Sequence, residues 1–118
     1  MAASGARTSG GRWQPANTRT IGLETEVAFR LARDLPPRGT PYSREEVLDA
    51  VAAAFPLLEL VQSRYADHKI VAPGEGMADN IAHHGYVVGA DVAEWRRQDL
   101  ANLAVRQSYG GAVQVEQK

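Results

Sequence analysis

Hydrophobic and polar residues alternate from Thr20 to Leu31. Ile21, Leu23, Thr25, Val27, Phe29 and Leu31 fall on one side, and Gly22, Glu24, Glu26, Ala28 and Arg30 on the other. A period of two predicts a strand with one apolar face. Prolines and a glycine between Asp34 and Pro41 then predict a loop. The pattern changes to a helical stripe at Val47, Leu48, Val51, Ala54 and Phe55. Ser43 and Glu46 form the sequence of a capping box, and Tyr42 and Val47 are spaced as a hydrophobic staple. Pro56 is expected to end this helix, because its ring disfavours helical geometry at Phe55. Leu57–Gln62 reads as a second strand, with Glu59 set among leucines. A long polar loop is expected over 63–78, a short strand over 86–89, and a turn or loop over 93–98. Segments 100–107 and 112–116 flank Ser108-Tyr109-Gly110-Gly111, the signature of a hairpin.

Composition narrows the class. The chain has 118 residues, 44% of them hydrophobic, which suits one small domain or part of one. Its 13 basic and 14 acidic residues leave a net charge of -1, which argues against binding nucleic acid through bulk charge. The balance is uneven: residues 1–23 contain Arg7, Arg12 and Arg19 and no acid. Residues 1–19 are poor in apolar side chains and are expected to form a flexible basic tail, with a folded segment over 20–118. There is no cysteine, hence no disulfide framework or thiol nucleophile. No apolar run approaches the ~20 residues of a membrane helix, and no secretory core is visible, so no membrane partner and a cytoplasmic setting are expected.

The chemistry is concentrated in carboxylates. On a strand, Glu24 and Glu26 share a face about 6.5–7 Å apart. Like charges so placed repel, and a shared cation or a basic partner relieves the repulsion. Hard divalent ions such as Mg²⁺ or Mn²⁺ suit such oxygen ligands. A solvated strand face is the plainer alternative. Glu59 in an apolar strand needs a partner, a metal or a proton. Pairing with Arg64 or exposure on an edge would equally meet that need. His83 and His84 are adjacent and could serve as acid or base. On a strand they would face opposite ways, and one or both are expected to be exposed near a loop.

Several blocks, in order, resemble the 2-keto-4-pentenoate hydratases of the fumarylacetoacetate hydrolase superfamily. They are Ile21-Gly22-Leu23-Glu24-Thr25-Glu26-Val27-Ala28-Phe29, Arg33-Asp34-Leu35-Pro36, Phe55 to Arg64, and Ala78-Asp79-Asn80, within about residues 20–116. The resemblance implies an α+β chain, a partial mixed β-roll with one well-capped helix. It implies a divalent cation, Mg²⁺ or Mn²⁺, held by Glu24, Glu26 and Glu59. It also implies a small 2-oxo-acid substrate, Asp79 and Asn80 as catalytic loop residues, and Arg64 and Lys69 as substrate-binding residues. The implied reaction is hydration of a 2-hydroxydienoate in aromatic catabolism. Close relatives decarboxylate 2-oxo diacids of the 4-oxalocrotonate type.

The chain departs from the pattern in places. Gln62 stands where many relatives carry aspartate, His68 where tryptophan is usual, and histidines follow the Asp79-Asn80 pair where small residues are usual. The family's upstream lysine segment and its closing glycine-rich strands find no counterpart. A truncated, non-catalytic remnant is therefore the alternative expectation. Unpaired sheet edges would favour a homo-oligomer.

Overall fold

The computed structural model describes residues 6–12 and 21–117. The chain is α+β. Strand β1 spans Ala6–Thr8 and β2 Gly22–Leu31, followed by helix α1, Arg44–Ala50. Strand β3 spans Val51–Val61, helix α2 Pro73–Ala78, and β4 His83–Val88. Strands β5, Val105–Tyr109, and β6, Ala112–Gln117, close the order. No helix among the described residues is long and apolar enough to cross a membrane. The chain divides into two units, 1–26 with 57–89, and 27–56 with 90–118.

The first unit is built on a sheet with strand order β1-β4-β3-β2. β4 runs antiparallel to β3, with Leu57 opposite Val88, Glu59 opposite Tyr86 and Leu60 opposite Gly85. A bulge after Leu60 brings Val61 opposite His83. On the far side of β4, β1 pairs in parallel, Ala6 opposite Tyr86 and Thr8 opposite Val88. The expected flexible tail therefore contributes a strand at residues 6–8. Its apolar content is low, but a strand beside β4 needs only its backbone donors and acceptors. The rest of that stretch, 1–5 and 13–20, lies outside the described residues.

The second unit holds α1 and the β5–β6 hairpin. Ser43 caps α1 as expected: its Oγ accepts from Glu46 N–H at 3.2 Å, and Glu46 Oε2 accepts from Ser43 N–H at 2.7 Å. Tyr42 is held by Arg38 and Pro36. Its ring lies 3.7 Å from the Arg38 guanidinium carbon, and its hydroxyl donates to Pro36 O at 2.7 Å. The helix ends at Ala50, well short of the expected Phe55. Val51, Ala53, Ala54 and Phe55 are buried in an extended segment instead. An apolar run of this kind satisfies a helical stripe and a buried strand alike, and packing decides between them. Pro56 fits because β4 pairing begins only at Leu57, so no ladder bond to β4 is lost.

Val51, Ala54 and Trp95 form a small core, with Leu48 and Leu100 packed against it. Arg96 stacks over Trp95 at 4.4 Å and donates to Val51 O at 2.8 Å, tying a short 3₁₀ turn at Trp95–Arg97 to the end of α1. Phe29 meets the Trp95 ring edge-on at 5.6 Å. The apolar face expected on β2 is not uniformly buried. Leu23 is half-buried, whereas Val27, Phe29 and Leu31 are 40%, 46% and 48% exposed. Residues 100–102 form a 3₁₀ turn, so β5 starts later than expected. Gly110 and Gly111 take φ of 58° and 81°, the left-handed pair that a two-residue hairpin turn demands.

Candidate metal centre

Three carboxylates converge in the first unit. Glu24 and Glu26, two residues apart on β2, project from the same face. Glu59 comes from β3, the neighbouring strand in the sheet order. One carboxylate oxygen from each lies within 4.8 Å of the others. Glu24 and Glu26 are exposed and Glu59 is half-buried. Among the described residues, neither Glu24 nor Glu26 pairs with a lysine or arginine. Three anionic oxygen donors with this spacing, two of them without a basic neutraliser among the described residues, form a donor set that fits a hard divalent cation.

A cleft of about 370 Å³ opens beside the cluster, lined by Glu24, Glu59, Val61, Asn80, Ile81 and His83. Its rim has unusual backbone geometry. Asn80, Ile81 and Ala82 all take positive φ, 55°, 53° and 60°. None is glycine, and for the branched Ile81 this conformation is strained. The turn ends with Gln62 N–H donating to Ala82 O at 2.8 Å, which delivers His83 to the start of β4.

Glu59 has a partner that its sequence setting did not single out. His83 Nδ1 lies 2.6 Å from Glu59 Oε1. Arg64, the basic partner considered from sequence, binds Asp79 instead: Nη1 is 3.1 Å from Asp79 Oδ1 and 2.7 Å from its carbonyl oxygen. Nη2 donates to His83 O at 2.9 Å. Asp79 is buried and also accepts from Ser63 Oγ at 2.8 Å and from Arg64 N–H at 3.2 Å. Burial pushes its carboxyl up, but hydrogen bonds from Ser63 and Arg64 outweigh this and hold it below the ordinary aspartate value. Asp79 therefore fastens Ser63, Arg64 and its own carbonyl into one knot, adjacent in sequence to Asn80, which lines the cleft.

The other expected site residues separate. Asn80 lines the cleft. Lys69 is exposed on a 3₁₀ turn, and its backbone N–H donates to Asp67 at 3.0 Å. It is not a lining residue. His83 and His84 both lie on β4 and are half-buried rather than exposed. Sequence alone could have found His83 only through the β3–β4 register, which the bulge after Leu60 shifts by one residue.

Known proteins are similar to this chain over three quarters of its length. A stretch of 91 residues is 36% identical to a 4-oxalocrotonate decarboxylase from a Pseudomonas species, covering 75% of this chain. The same identity extends over 88 residues of a 2-hydroxyhexa-2,4-dienoate hydratase from Comamonas testosteroni. It extends over 89 residues of a 2-keto-4-pentenoate hydratase from Paraburkholderia xenovorans strain LB400. Over this segment, the chain belongs to the 2-keto-4-pentenoate hydratase family. It spans about a third of the curated relatives it matches, 32% of each. No protein-family model matches it. Within the hydratase family segment, Glu24, Glu26 and Glu59 are the residues that would hold a cation.

Proposed function

We propose that this chain supplies the carboxylate centre of a divalent-cation-dependent hydratase acting on 2-hydroxydienoates or 2-oxo-alkenoates, within the breakdown of aromatic compounds. The convergence of Glu24, Glu26 and Glu59 carries the reading. A bound Mg²⁺ or Mn²⁺ would supply Lewis acidity to a 2-oxo acid chelated through its carboxylate and neighbouring oxygen. The chain's own residues do the rest. Glu24 and Glu26 present two anionic oxygens from one strand face, and Glu59 adds a third from the next strand. Asn80 offers an amide to a substrate in the cleft. Asp79 holds the Arg64 guanidinium against the carbonyls of Asp79 and His83, which fixes the base of the turn bearing Asn80. Arg64 and Lys69 are the cations proposed to meet a substrate carboxylate, although neither lines the cleft itself. The four-stranded sheet is read as part of a mixed β-roll.

A decarboxylase acting on 2-oxo diacids is the second reading. The equal 36% identity to a decarboxylase and to hydratases supports both reactions alike. Calorimetric titration with Mn²⁺ tests that centre. Wild type should bind, and Glu24→Gln and Glu59→Gln should bind at least tenfold more weakly. Equal, poor binding by all three would remove the proposal. Ultraviolet absorbance on a 2-hydroxydienoate, against CO₂ release from a 2-oxo diacid, separates the two reactions.

A further inference from the structure

The three carboxylates are not held alike. Glu24 and Glu26 are exposed and without an ion-pair partner among the described residues. Among the described residues, Glu59 alone of the three is tied, by the 2.6 Å contact from His83 Nδ1 to its Oε1. A carboxylate that serves as a cation ligand is ionised and can only accept a hydrogen bond, so Nδ1 must carry the proton in that contact. In the neutral ring, Nε2 is then the unprotonated nitrogen. The ring itself is held. His83 sits at the register position opposite Val61, its carbonyl accepts from Arg64, and its ring is 5.9 Å from that of Tyr86. The left-handed turn at Asn80–Ala82 and the Asp79–Arg64 knot bring the backbone to this place.

We propose that His83 is the positioning residue of the carboxylate centre. It restrains the Glu59 carboxylate to one orientation before any cation arrives, so that Glu59 acts as the fixed ligand against which Glu24 and Glu26 adjust. This rests on the reading of Glu24, Glu26 and Glu59 as cation ligands. It adds a residue outside that set, on a different strand, whose effect is on affinity and not on the number of ligands. Removing a hydrogen-bonding partner of a metal ligand typically weakens metal binding by about 10- to 100-fold.

The test is Mn²⁺ binding by the full chain, followed by calorimetry and by the electron paramagnetic resonance signal of free Mn²⁺. His83→Ala should bind about tenfold more weakly than wild type. His83→Asn places an amide N–H near the position of Nδ1 and should recover most of the loss. Heteronuclear NMR of the neutral imidazole should show the Nδ1–H tautomer. Binding by His83→Ala equal to wild type overturns the role of His83 while leaving the centre intact. Equal weakening in His83→Ala and His83→Asn, with unchanged circular dichroism, overturns the hydrogen bond as the cause. An Nε2–H tautomer does the same. Wild type failing to bind Mn²⁺ at all is a different result: it removes the carboxylate centre, and the role of His83 with it.

Discussion

Replacing Glu24 by glutamine should stabilise the cation-free chain. The three carboxylates approach to within 4.8 Å, and at that separation two unit charges repel by about 0.9 kcal/mol in water. Glu24 repels both Glu26 and Glu59, so its neutralisation relieves about 1.7 kcal/mol before screening. Salt at physiological strength cuts this roughly in half, to about 1 kcal/mol. The dielectric of water is the right choice because Glu24 and Glu26 are exposed. For a domain of this size the gain corresponds to a melting temperature roughly 4 °C higher. The assay is thermal denaturation by circular dichroism in chelator, at low and at high salt. The gain should shrink as salt rises, and with saturating Mn²⁺ the order should reverse. At a hundredfold excess over Kd, wild type would gain about 2.7 kcal/mol, and the variant far less. A lower melting temperature for Glu24→Gln in chelator would refute the argument. So would a gain that persists undiminished at high salt, because it would then come from packing and not from charge.

Other outcomes follow from the same geometry. The Glu46 carboxyl is held down to about 2, chiefly by the hydrogen bond from Arg38 and also by the Ser43 N–H. Its contribution is therefore complete above the ordinary value of 4.5 and is lost as pH falls through about 2. Between those values the stability of wild type should fall more steeply than that of Glu46→Gln, and parallel melting curves would contradict this. Gly111→Ala should cost about 1 kcal/mol in chemical denaturation, because φ is 81° there, whereas Gly39→Ala, in open space, should be nearly neutral. Asp79→Ala should melt earlier than Asp79→Asn, because only asparagine keeps an acceptor for Ser63 and the Arg64 N–H. The reverse order would mean that the knot is not held by acceptance at Asp79.

Local chemistry was legible in the sequence. The capping box needs only Ser43 and Glu46 at fixed spacing, and the hairpin turn needs two residues that tolerate positive φ at Gly110-Gly111. The pairing of Glu24 and Glu26 on one face follows from the period of a strand. Features set by long-range pairing were not legible. Residues 51–55 carry three alanines and a helical stripe, yet they are extended in β3, and all but Ala52 are buried. β1 has no hydrophobic pattern, because its backbone makes the bonds. The turn at Asn80–Ala82 runs left-handed without a glycine to announce it. The contact between His83 and Glu59 depends on a strand register that a single bulge displaces.

The position of Glu59 on a different strand from Glu24 has a consequence for folding. The two stand 35 residues apart in a chain with no cysteine. On the proposed reading, a cation shared between them would act as a removable cross-link, closing a loop that no disulfide can close. A covalent closure of that length would restrict the unfolded chain by about 4 kcal/mol, the upper limit for an ionic one. Chelation would then do to this chain what reduction does to a disulfide-bonded one, and β2 and β3 would part more readily when the cation is withdrawn.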